Sequence, residues 1–199
     1  MPLITPYYLE KRERGKGKKG YPMDFKQLFK QISPEELGGA FNVFTLMGFF
    51  LVTAGKIEHY NSMVCSGGAI GLHFKKPAVW CIFQSARYTL ELIQKEKTYT
   101  LSWFPDEYKK QLLFLGSKSG RDSEKMKEIK LTSIQTPCAN MSFEEAKLII
   151  ECSLTQITTA NADDFYSQES KDYLKEAYKD PKEIRKYVFG QITNIWIKK

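Results

Sequence analysis

Histidine is scarce in this sequence, with two in 199 residues, His59 and His73. Neither is half of a metal-ligand pair, and the four cysteines (Cys65, Cys81, Cys138, Cys152) contain no Cys-x-x-Cys. That poverty argues against a zinc site. It also argues against a Ser-His-Asp hydrolase, because Ser66 lacks the glycine two residues earlier that a nucleophile elbow needs. No apolar run is long enough to cross a membrane. The longest, residues 41–54, carries Asn42 and two threonines and falls short of the roughly 20 residues a spanning helix requires. No charged-then-apolar leader opens the chain, so a cytoplasmic protein is expected. Cys81 and Cys152 sit in apolar segments, where a free cysteine behaves as a small hydrophobe, and a reduced chain without a disulfide framework is expected.

Positive charge is in excess but unevenly placed. The net charge is +7. Residues 1–22 supply +4 of it, with Lys11, Arg12, Arg14, Lys16, Lys18 and Lys19 against Glu10 and Glu13. The expected organisation is a basic, flexible N-terminal arm over 1–22 and one domain over 23–199. No aromatics are interleaved with the arm's charges, and nucleic-acid binding is not expected. Gly15-Lys16-Gly17-Lys18-Lys19-Gly20 matches G-x-G-x-x-G by letter. It follows no apolar strand and opens no amphipathic helix, so it cannot place a pyrophosphate on a helix N-terminus.

What is present is a series of short apolar segments. Residues 41–54 read as a buried strand closed by Gly55, and 77–84 as another. Ser62 to Leu72 is glycine-rich, suited to a strand or loop that lets a ligand approach the backbone. Arg87 to Lys97 has helical spacing. Thr98 to Trp103 alternates, with Tyr99, Leu101 and Trp103 on one face. Pro105-Asp106-Glu107 opens a helix whose stripe of Tyr108, Leu112 and Leu115 ends at Gly116. Residues 148–155 form a half-buried strand, 163–179 a helix stopped by Asp180-Pro181, and 187–197 a closing strand with a bulge or close approach at Gly190. Ser33-Pro34-Glu35-Glu36 resembles a short helical start. Many strands with a few helices between them predict an antiparallel, barrel-like β core.

Three polar clusters stand beside these apolar segments. They are Tyr60-Asn61-Ser62-Met63, Arg87-Tyr88-Thr89, and Ser117 to Lys125 with its hydroxyls, Gly120 and cations. Hydroxyls, backbone N–H groups left open by glycine, and Arg/Lys are the chemistry that holds a phosphate. Each cluster also has a plain reading. Thr89 can cap its helix, Asn61-Ser62-Met63 can be an ordinary turn, and Ser119-Gly120-Arg121-Asp122 can be a surface turn with Asp122 as N-cap.

Taken in order, Tyr-Asn-x-Met, Arg-Tyr-Thr and Ser-Gly-Arg-Asp-x-x-Lys resemble the flavin reductase-like, FMN-binding split-barrel family, especially its flavoredoxin-type branch. Leu51-Val52-Thr53-Ala54-Gly55, Glu151-Cys152 and Val188-Phe189-Gly190-Gln191-Ile192 are similar as well. The resemblance implies a homodimer of six-stranded antiparallel split β-barrels with FMN near the subunit interface. It implies that Asn61, Ser62, Met63 and Val64 line the flavin. Arg87, Tyr88 and Thr89 would then hold the phosphate or ribityl chain, with Ser119, Gly120 and Lys125 completing the phosphate end and Arg121 and Asp122 bracing the loop. The family usually reads Asn-x-Met-Thr-Ala-Ser-Trp-Gly at the first motif. This chain has Val64 in place of the threonine and Gly67 in place of the tryptophan. The implied activity is hydride transfer from NAD(P)H to flavin, then electron transfer to a second acceptor. The alternative is an FMN-binding electron carrier or redox sensor. Neither reading needs a catalytic acid/base pair or a metal, since the cofactor carries the difficult chemistry.

Overall fold

The computed structural model describes residues 25–32, 36, 50–121 and 124–199. The expected arm over 1–22, the helical start at 33–35, the apolar run before Phe50, and Asp122 lie outside the described residues. The strands are β1 (Phe29–Ile32), β2 (Phe50–Lys56), β3 (His59–Cys65), β4 (Gly68–His73), β5 (Lys76–Gln84), β6 (Thr98–Trp103), β7 (Ser133–Gln135), β8 (Met141–Phe143), β9 (Leu148–Thr159) and β10 (Arg185–Lys198). The helices are α1 (Phe25–Leu28), α2 (Tyr88–Glu96), α3 (Lys109–Ser117), α4 (Lys125–Glu128) and α5 (Gln168–Ala177).

The main sheet runs β3-β2-β6-β9-β10-β5-β4, and β1 pairs with β10. Every pairing is antiparallel. The two ends of this path, β3 and β4, are consecutive in the chain and joined by Ser66 and Gly67. So short a link forces the sheet to curl until its ends approach, and the Cys65 thiol at the end of β3 donates to Ile82 O of β5 at 3.9 Å. The long strand β10 has β9 along one edge. On the other edge it pairs with β5 over Arg185–Gln191 and with β1 over Ile195–Lys198. Among the described residues the barrel-like core is as expected, although its path has seven strands with β1 alongside, not six.

Two apolar clusters lie on the two faces of this curved sheet. Val52, Met63, Val79, Cys81, Ile93, Leu101, Trp103, Ile150 and Val188 belong to the inner one. Leu51, Phe104, Leu112, Leu115, Ile134, Phe143, Ile149 and Trp196 belong to the outer one. Alternate residues of β2 serve different clusters, which is why Phe50, Leu51 and Val52 form an apolar run in a strand buried from Phe50 to Gly55. Each such side chain, fully buried, contributes roughly 1.5–3 kcal/mol.

Strand β6 alternates as expected, yet its polar face is buried too. Thr100 Oγ1 donates to Met141 O at 2.7 Å, and the Ser102 and Ser142 hydroxyls lie 2.9 Å apart, so β8 covers that face. Ser62 to Leu72 is two strands broken at Ser66–Gly67. The helix expected from Asp163 begins only at Gln168, because Ser167 Oγ accepts from Ser170 N at 3.3 Å and caps it there. Gly116 lies inside α3 and does not end it.

Candidate functional site

The three polar clusters come from different elements and meet at one side chain. Asn61 projects from β3 and is buried. Its Nδ2 donates to Thr89 Oγ1 at 2.8 Å. Its Oδ1 faces Gly120 so closely that a Cβ there would stand 2.1 Å away. Glycine at 120 is therefore a requirement of close approach. Thr89 does not cap α2; Arg87 holds the N-cap position with no side-chain bond, and the Thr89 hydroxyl serves Asn61.

Above this junction opens a cleft of about 350 Å³. Asn61, Met63, Arg87, Tyr88, Thr89, Ser119, Gly120 and Lys125 line it, as do Gln84, Ala86, Ser117, Lys118, Lys182 and Glu183. Of the site residues expected from sequence, Ser62 and Val64 are not on its walls. Strand alternation turns them to the opposite face. The Ser62 hydroxyl lies 2.7 Å from that of Thr53, and Val64 packs in the outer cluster against Gly116 of α3. Cys65 is also absent from the cleft walls. Its thiol is buried, donates to Gly67 O at 3.3 Å and has the Cys81 thiol as neighbour.

Lys125 is the unusual charge here, buried at 2% exposure. Its Nζ donates to Leu115 O at 2.9 Å and Lys118 O at 3.0 Å, satisfying carbonyls at the C-terminal end of α3. Burial first, and then the neighbouring Arg87 charge, lower its pKa from 10.5 to about 8. Arg121 braces the wall from behind. It pairs with Glu91, donates to Ala86 O at 2.7 Å and stacks over the Tyr88 ring at 5.4 Å. Tyr88 is held from its other end by His59 Nε2 at its hydroxyl. The Ser119 hydroxyl accepts from Arg121 N at 3.2 Å. The short helix α4 has Glu124 at its N-cap position.

Gln84, Lys182 and Glu183 were not expected at the site. They belong to the end of β5 and the turn after α5, segments without a motif. What marks them is Asp180-Pro181, whose cap and ring fix the turn beside β5.

A family model described as the flavin reductase like domain matches residues 45–198, and the chain belongs to that family. The FMN-binding domain of a flavin reductase-like enzyme from Shewanella baltica OS155 aligns with 85% of this chain and 76% of its own, at 12% identity and TM-score 0.61. The FMN-binding protein of Thermus thermophilus, solved with 1-cyclohex-2-enone, aligns with 94% of this chain and 80% of its own, at 16% identity and TM-score 0.57. Flavoredoxin of Desulfovibrio vulgaris (Miyazaki F) aligns with 75% of this chain and 69% of its own, at 17% identity and TM-score 0.56. At these identities the likeness establishes the split-barrel fold. A search of curated protein sequences returns no match.

Proposed function

We propose that the cleft holds FMN and that the protein is an oxidoreductase of flavin-reductase type, acting as a homodimer. On this reading it takes hydride from NAD(P)H and passes electrons to a second acceptor. One observation carries the reading: three clusters distant in sequence converge through Asn61, Thr89 and Gly120 beside a cleft lined by Arg87 and Lys125.

The donor set fits a phosphate-bearing flavin. Lys125 spends two of its three N–H groups on carbonyls and keeps one. Arg87 is exposed at the cleft with no carboxylate partner among the described residues. Burial first, and then the Arg87 charge beside it, disfavour the charged form of Lys125, and an anion at the cleft would offset both. When bound, the flavin supplies the hydride acceptance and electron release that no side chain here can perform. Arg87 and Lys125 would hold its phosphate. Asn61, locked by Thr89, presents a fixed polar edge, and Met63 offers an adaptable apolar surface.

The test is an absorbance spectrum of the purified protein before and after addition of FMN and desalting, followed by NADH or NADPH oxidation. Retained bands at about 370 and 450 nm with nicotinamide oxidation support the proposal. Bands without turnover make the protein an electron carrier instead. A colourless protein that refuses added FMN overturns the flavin reading.

A further inference from the structure

Lys182 reaches the cleft from a segment outside every motif of the first two clusters and the glycine loop. The turn Pro181–Glu183 that carries it is firmly built. Asp180 Oδ1 accepts from Lys182 N at 2.9 Å, and the proline opens the turn. Ser85 Oγ donates to Pro181 O at 2.8 Å, and Ser85 N donates to Ile184 O at 2.7 Å. The turn is thus stapled to the chain between β5 and α2, two residues before Arg87.

Among the described residues Glu183 is the one carboxylate on the walls of this cleft, and it is already engaged. Gln84 Nε2 donates to its two oxygens at 2.7 and 2.8 Å, and Arg185 pairs with it at 3.1 Å. Lys118 pairs with Glu128 at 2.7 Å. Lys182 has no carboxylate partner among the described residues. Among the described residues, three cations therefore border the cleft without a partnering carboxylate. Arg87 comes from the start of α2, Lys125 from the start of α4, and Lys182 from the turn after α5.

We infer that Lys182 is a further phosphate-binding residue, completing with Arg87 and Lys125 a three-cation cradle for a phosphate monoester, and that it makes the site prefer FMN over riboflavin. This rests on the flavin reading above. A phosphate monoester carries close to two negative charges near neutral pH, with three strong acceptor oxygens. Arg87 and Lys125 supply two charges from one side. Lysine, a compact charge on a flexible stem, suits the remaining position at the exposed rim. It screens the dianion from water without requiring fixed geometry.

The experiment compares Lys182→Gln, Lys182→Arg and wild-type protein in titrations with FMN and with riboflavin. The control is Lys179→Gln, which removes the same charge from an exposed pair with Glu176 away from the cleft. Lys182→Gln is expected to weaken FMN about five- to tenfold, the scale of one charge-assisted contact, and to leave riboflavin unchanged. Lys182→Arg should retain most of the FMN affinity, and Lys179→Gln should change neither ligand. Equal losses for FMN and riboflavin, or no loss for FMN in a wild type that binds it, overturn the inference. Inorganic phosphate separates this result from the flavin reading. A wild type that binds no flavin, yet gains thermal stability from phosphate less strongly as Lys182→Gln, retains the cradle and loses the flavin. Equal phosphate stabilisation of the two proteins removes the cradle.

Discussion

Asn61 donates its side-chain amide to the Thr89 hydroxyl at 2.8 Å, while the oxygen of the same amide faces the bare backbone of Gly120. A methyl group at 120 would lie 2.1 Å from Oδ1 and 2.6 Å from Cγ. The amide cannot swing aside cheaply, because Thr89 holds its other end and the side chain is buried. Gly120→Ala is therefore expected to cost about 1–3 kcal/mol by overpacking and to weaken FMN at least tenfold by pushing the glycine loop outward. In an Asn61→Gly background the clash has no partner, so the further loss from Gly120→Ala should shrink. Thermal denaturation and flavin titration of the four proteins form the cycle. Additive losses would show that the contact is not the cause.

Lys125 gives the site a pH signature. Its pKa of about 8 means that the charge offered to an anion disappears as pH rises through that value. FMN affinity is expected to be level between about pH 6.5 and 7.5, then to fall by up to tenfold per unit above 8. Unliganded stability should move the other way. Between 8 and the ordinary 10.5 the unfolded chain holds a proton that the native protein has lost, so this group's contribution to stability rises with pH. Lys125→Arg keeps the charge and should abolish the break in affinity. Titrations at fixed ionic strength across pH 6.5–9.5 decide it; a break that persists in the arginine variant would assign it elsewhere.

Much of this was legible in the residues themselves. Gly190 reads as a bulge from its place in a closing strand, and the register does shift between Phe189 and Gly190. The alternation of Thr98 to Trp103 gives the strand, but not the burial of Thr100 and Ser102. That burial depends on β8, three residues long and too short to announce itself by pattern. The order of the polar clusters points to a phosphate. It cannot reveal that Ser62 and Val64 turn away from the cleft, because the pairing of β2 with β3 decides which face is which. Lys182 and Glu183 escape notice for a related reason. Nothing local says that the turn after α5 returns to the end of β5, a contact between residues nearly a hundred positions apart.

Glu151 carries a structural prediction. It is fully buried on β9, accepting from Trp196 Nε1 at 2.6 Å and Asn140 Nδ2 at 2.7 Å. It thereby ties β10 and the turn before β8 to the sheet. Glu151→Ala leaves two buried donors without acceptors and is expected to cost about 2–5 kcal/mol. Glu151→Gln should cost less than about 1.5 kcal/mol, since Asn140 can flip its amide to accept from the new one. Burial raises the Glu151 pKa, against the opposing hydrogen bonds. The native state then keeps a proton that the unfolded chain has shed. Wild-type stability should accordingly fall as pH climbs from 4.5 through the raised value, and Glu151→Gln should lack that slope. Denaturant melts of both proteins between pH 4 and 8 measure it, and parallel curves would remove Glu151 as the source.

The barrel interior closes around Gly190 and Tyr99. A Cβ at 190 would stand 2.2 Å from the Tyr99 hydroxyl oxygen, 2.8 Å from its ring and 2.9 Å from Cys152 Cβ. The tyrosine is 1% exposed and the cysteine fully buried, so neither has room to retreat. Gly190→Ala is expected to cost about 3 kcal/mol or more, at the upper end of overpacking penalties. Tyr99→Phe removes the nearest atom of the clash and a hydroxyl whose surroundings are the Cys152 and Cys81 thiols. That change alone should be close to neutral, because a buried hydroxyl with weak partners contributes little net stability. Combined with Gly190→Ala it should recover part of the loss, while ring contact at 2.8 Å prevents full recovery. Chemical denaturation of the single and double variants reads this out. If Tyr99→Phe gives no recovery, the strain of Gly190→Ala lies in the bulge of β10 and not in the packing beneath it.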